Sequence, residues 1–194
     1  GPNGGPELDQ TDAIRKAVLE YHSPTDEPRS DIELEAIERA VHEAQVLYQR
    51  AHYAQVGRLA PLLVRQAEAA AKSTQGADER RAHAALASTY HLVTALLSRT
   101  GETELGWITA DRGIAAAQRA EDPELVAVGL YRLGHVMTRA GRVDEARNVA
   151  GTAAVDAGIA DSNSRAAVSV RGSLALIGAI AAARQDDRRD TLGL

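Results

Sequence analysis

Small residues recur in this chain at a spacing that leaves few architectures open. From Gly134 to Gly141, Ala146 and Ala153 the intervals are 7, 5 and 7, with Leu133 just before the first of them. A glycine between two helical segments, with small residues at fixed distances on either side, lets two antiparallel helices turn sharply and then pack closely. Hairpins of this kind do not bury their apolar faces alone and are stable when stacked, which predicts an all-α chain built as an α-solenoid of antiparallel helix hairpins. A stacked array offers a concave surface rather than a catalytic cleft, so the expectation is a binding protein.

Apolar periodicity extends the pattern along the chain. Residues 1–6, Gly1-Pro2-Asn3-Gly4-Gly5-Pro6, cannot start a helix and read as the remnant left by a tag-removing protease. Residues 7–22 read as a connector helix with Ile14, Val18 and Tyr21 on one face, set apart from the body by a Pro-rich linker at 23–30. The repeat domain then occupies 31–194. Its first helix runs from Asp31 to about Tyr53, with Gly57 marking the turn and Pro61 falling in the first turn of the returning helix. A second pair turns at Thr100-Gly101 and returns from Glu102 to Ala120. A third runs from Leu125 to Ala140, turns at Gly141-Arg142 and returns from Val143 to Ala157. A last helix ends near Arg184, before Gln185-Asp186-Asp187. The turns at Gly57, Gly101, Gly141 and Gln185 stand 44, 40 and 44 residues apart, longer than the basic tetratricopeptide length of about 34. The closing Asp190-Thr191-Leu192-Gly193-Leu194 reads as the start of a further helix, so the chain is expected to be a piece of a longer protein.

Composition narrows the function. The 194 residues suffice for a real core, and aromatics make up only 3% with no Phe, so close-packed Ala-rich helices must form it. A formal charge of −5 argues against nucleic-acid binding by these residues alone. No cysteine is present, which excludes disulfides and thiolate metal sites and fits a cytoplasmic location. No apolar run approaches about 20 residues, so no membrane contact is expected.

The segments Gly101-Glu102-Thr103-Glu104-Leu105-Gly106-Trp107 to Gly113, Arg132-Leu133-Gly134-His135-Val136 and Gly141-Arg142-Val143-Asp144-Glu145-Ala146-Arg147 carry a resemblance. Through them, and through Gly172 to Leu176 and Ala181 to Arg184, the chain resembles the C-terminal tetratricopeptide-like region of actinobacterial helix-turn-helix transcriptional regulators. That resemblance implies a sensor or oligomerisation module. DNA would be reached only through an N-terminal helix-turn-helix domain that this chain does not contain.

In the third hairpin, helical spacing points Leu130, Leu133 and Met137 into the repeat. Tyr131, His135 and Thr138 or Arg139 fall on another face, the one that lines the groove in repeats of this type. The equivalent positions of the preceding hairpin are His91, Ala95, Ser98 and Arg99. With Arg171 from the last helix, the candidate ligand-binding residues are His91, Arg99, Tyr131, His135, Arg139 and Arg171, a set suited to a carboxylate, an amide backbone or a planar small molecule. A solvated polar face is the plainer account of the same residues. Trp107 is expected to serve packing. The six histidines form no metal-binding motif, and no nucleophile elbow or phosphate loop is present, so neither a metal, a cofactor nor catalysis is expected.

These expectations combine into an effector-sensing repeat domain of a bacterial transcription regulator, binding a peptide or small molecule and pairing as a homodimer through the connector helix. The alternative is a constitutive protein-interaction scaffold without a small effector.

Overall fold

Gly101 (φ 82) and Gly141 (φ 76) close two helices in the left-handed conformation, where a Cβ would crowd the following carbonyl. The computed structural model describes residues 6–20 and 33–192. Among them the chain is all-helical: α1 (Pro6–Leu19), α2 (Leu34–Gln49), α3 (Tyr53–Ser73), α4 (Glu79–Thr100), α5 (Thr103–Arg119), α6 (Pro123–Arg139), α7 (Val143–Asp156) and α8 (Arg165–Leu192), with a 3₁₀ turn at Gly76–Asp78. The start of α6 shows local chemistry at work. Asp122 Oδ1 accepts the Leu125 amide at 2.9 Å and Pro123 fills a first-turn position that has no amide to satisfy.

From α2 onward each helix packs on the next, and α2, α4, α6 and α8 also pack in series on one another. Thus α3 bridges α2 and α4, α5 bridges α4 and α6, and α7 bridges α6 and α8. Small residues set these approaches. Ala146 and Ala153 are fully buried, and a Cβ on Gly134 would stand 3.2 Å from Ile177 Cγ2, so α6 meets α8 where glycine leaves room. The largest cluster gathers Ile14, Ile37, Val56, Val93, Leu97 and Leu105 from α1 to α5, and a second joins Ala127, Ile159, Val170 and Leu174. Inside the α4–α5 contact, Thr94 Oγ1 donates to Thr109 Oγ1 at 2.9 Å, and Thr109 Oγ1 to the Gly106 carbonyl at 3.0 Å, which satisfies two buried hydroxyls.

Four expectations are corrected. The first hairpin turns at Arg50–His52, where Ala51 takes φ 63, rather than at Gly57. Gly57 lies inside α3 against the Gln10 side chain of α1, and Pro61 sits in the interior of that helix, not in its first turn. The connector helix does not stand apart: Ile14, Ala17 and Val18 are buried against α3, so the apolar face once available to a second chain is covered by its own. The last helix continues through Gln185-Asp186-Asp187 to Leu192, because charged residues with ordinary helix propensity do not end a helix. Within it, Ala167–Arg184 is long and apolar enough to cross a membrane by length and composition alone, contrary to the sequence expectation. Its buried side, Ala167, Val170, Leu174, Ile177 and Ala181, belongs to the clusters shared with α6 and α7. The linker at 23–30 and most of the 1–6 segment lie outside the described residues.

Candidate functional site

Because α4 and α6 pack directly and α2 packs on α4, side chains one or two turns apart on these helices meet on a common face. Tyr48 of α2, Ala95, Ser98 and Arg99 of α4, and Tyr131, Arg132, His135 and Arg139 of α6 enclose a cavity of about 430 Å³. That volume is within the range of small-molecule sites.

The walls are partly pre-set. Ser98 Oγ donates to the Thr94 carbonyl at 2.8 Å, and the Tyr48 hydroxyl stands 3.4 Å from the Ala95 carbonyl, a long contact that leaves it free to turn toward a ligand. The Arg99 guanidinium lies 3.7 Å from the centre of the Tyr53 ring, and Arg132 lies 5.3 Å from that of Tyr131. The rings of Tyr131 and His135 are 6.5 Å apart, tilted by 56°. Arg132 Nε is buried with no hydrogen-bond partner among the described residues. Among the described residues no carboxylate lines the cavity.

Electrostatics follow from this lining. Burial holds the His135 imidazole below its ordinary pKa, and the positive charges of Arg139, Arg132 and Arg184 push it further down. Burial raises the Tyr48 phenol, an effect that Arg132 and Arg99 oppose. The site therefore offers guanidinium donors, a neutral imidazole and aromatic faces, an arrangement that binds acceptors and planar groups.

Of the residues singled out from sequence, Arg99, Tyr131, His135 and Arg139 meet in this cavity, as do Ala95 and Ser98. Thr138 does not; it is buried and its hydroxyl donates to the Gly134 carbonyl at 2.7 Å. His91 is also elsewhere. It is buried beneath α5 and α6, where a Cβ on Gly113 would come within 2.8 Å of its ring and one on Gly129 within 3.0 Å. Arg171 turns to the loop between α7 and α8, donating to the Ile159 carbonyl at 2.9 Å and to that of Ser162. Tyr48 and Arg132 escaped the sequence reading. Arg132 shares the i, i+3 and i+7 spacing with His135 and Arg139, which would have revealed it. Tyr48 was hidden by the misplaced first turn.

Trp107 packs beside Met137 and Val143, with the Arg142 guanidinium 4.4 Å from its ring centre. Among the described residues no group of three or more His, Asp or Glu side chains is placed to hold a metal ion. A second cavity of about 420 Å³ lies between α1, α3 and α4 and shares Arg99 with the first. A third polar cluster joins four helices: the Tyr90 hydroxyl donates to Glu68, while Arg112 reaches the Tyr90 oxygen at 3.2 Å and the Val18 carbonyl at 2.6 Å. Burial raises the Tyr90 phenol, reinforced by Glu68, consistent with a structural tie. Compared with protein-family models, curated proteins and solved structures, the chain matches none.

Proposed function

We propose that this chain is an effector-binding helical repeat domain, of the tetratricopeptide-like kind, that serves a bacterial transcription regulator and takes a peptide or small molecule on the face shared by α2, α4 and α6. The observation that carries this reading is the cavity itself, in which side chains from α2, α4 and α6 converge although they lie far apart in sequence. Series packing of α2, α4, α6 and α8 supports a stacked-hairpin arrangement. The sequence resemblance described above supports the link to regulation.

A ligand touching three helices at once favours the arrangement of hairpins that it contacts best. It shifts an attached DNA-binding domain only as far as its affinity differs between arrangements. Dimerisation, where paired half-sites are read, then uses a surface other than the apolar face of α1.

The test combines thermal-shift screening of peptides and metabolites on this chain with a reporter controlled by the native full-length gene product. A ligand that stabilises the chain, and whose effect on the reporter disappears in a Tyr131→Ala, His135→Ala, Arg139→Ala variant, is the expected result. Reporter output identical in the wild-type and variant proteins, with no stabilising ligand found, overturns the reading.

A further inference from the structure

Several cationic side chains elsewhere in this molecule stand beside an acceptor. Arg15, Arg81 and Arg142 stand within 3 Å of Glu102, Glu38 and Glu145 respectively, and Arg171 and Arg184 donate to backbone carbonyls. The cavity on α2, α4 and α6 differs from these places in gathering several guanidinium groups around one space. Arg99, Arg132 and Arg139 converge there with no acidic partner among the described residues, and Nε of Arg132 is buried without a hydrogen-bond partner among them.

Three like charges around one hollow repel one another, a repulsion that an entering anion relieves, and the chain as a whole is acidic, with a formal charge of −5. A positive site on a negative molecule is selective by contrast. Guanidinium forks match tetrahedral and planar oxyanions with paired N–H donors, and several forks together suit a group with three acceptor oxygens better than one with two. The space of about 430 Å³ is larger than such a group alone requires, and the Tyr131 and His135 rings provide faces for the remainder of the ligand.

Resting on the effector-binding reading above, we propose that the ligand is a small phosphate monoester whose phosphate sits among Arg99, Arg132 and Arg139 and whose body lies against Tyr131 and His135. Burial first, and then the charges of Arg139, Arg132 and Arg184, hold the His135 imidazole below its ordinary pKa, so it meets a ligand as a neutral ring.

The experiment is isothermal titration of the complete 194-residue chain with phenyl phosphate, inorganic phosphate and benzoate at constant ionic strength. Phenyl phosphate is expected to bind saturably at one site, inorganic phosphate more weakly, and benzoate at least about tenfold more weakly than phenyl phosphate. Arg132→Gln and Arg139→Gln should each weaken phenyl phosphate by about tenfold or more. Arg80→Gln, whose guanidinium faces Glu121 at 3.0 Å away from the cavity, should leave binding unchanged. Thermal melts check folding, and since Arg139 is exposed its variant carries the test even if Arg132→Gln is unstable. No saturable binding at millimolar phenyl phosphate, binding indifferent to Arg139→Gln, or benzoate binding equally well overturns the assignment. Binding of an uncharged effector that depends on Tyr131 and His135, with phenyl phosphate inert, also overturns it and leaves the effector-binding reading intact. Phenyl phosphate binding with no effect on the reporter upholds the phosphate site and removes the regulatory role.

Discussion

His91 Nε2 lies 3.0 Å from the point where a Cβ on Gly129 would stand, so the imidazole uses space that no other residue at 129 leaves open. Ile114 Cγ1, at 2.6 Å from the same point, closes the other side. Gly129→Ala should therefore lower the unfolding free energy by about 1–2 kcal/mol in urea titrations, the clash outweighing the better helix propensity of alanine. Gly172→Ala is the converse case. Nothing lies within 4 Å of its added Cβ, and a gain of about 0.5–1 kcal/mol is expected.

Burial drives the His91 pKa down to about 3, with Arg132 adding to the effect, and neither ring nitrogen has a hydrogen-bond partner among the described residues. The folded pKa lies below the unfolded one, so the unfolded chain binds the extra proton. Stability from this group is complete above about pH 6.5 and declines as pH falls toward 3, by up to about 1.4 kcal/mol per unit. His83 and His135 shift in the same direction, so the diagnostic quantity is a difference. Denaturant melts from pH 7 to 4.5 should show a smaller slope for His91→Leu than for wild type; equal slopes would refute the burial of a neutral imidazole.

Arg112 ties α1 to the body by donating to the Val18 carbonyl at 2.6 Å while standing 3.5 Å from Glu68 on α3. Arg112→Ala should cost about 1–2 kcal/mol, discounted for the partial exposure of the guanidinium. The loss should be local. Hydrogen exchange of α1 amides should accelerate more than that of α4 or α6.

Ala51 (φ 63) and Glu121 (φ 54) hold left-handed backbone without being glycine, a conformation that costs an L-residue about 1–2 kcal/mol. Ala51→Gly and Glu121→Gly should each stabilise the fold by about 0.5–1 kcal/mol, since glycine removes that strain but gains freedom when unfolded. A fall in melting temperature for Ala51→Gly would contradict the turn geometry.

The candidate site was legible wherever repeat register was sound. Ala95, Ser98 and Arg99 were matched with His135, Thr138 and Arg139 by a shift of 40 residues. All of these line the cavity except Thr138, which turns into the α6 interior. The same shift fails at His91 and Tyr131. One turn earlier α4 runs beneath α5 and α6, where Gly113 and Gly129 open a pocket for His91, and that pocket depends on two other helices. Gly57 misled for a related reason: glycine marks a turn when its φ is positive, but here it marks the close approach of Gln10 from α1.

Helix-forming periodicity and the left-handed turns at Gly101 and Gly141 were readable in the sequence by itself, because propensity, amphipathic spacing and glycine's missing Cβ act within a few residues of one chain segment. Only the tertiary structure decided that α1 packs onto α3, that His91 is buried, and that Arg99, Arg132 and Arg139 surround one hollow. Those outcomes depend on volumes and charges supplied by helices remote in sequence, where a single glycine or arginine changes which side chain can occupy the space.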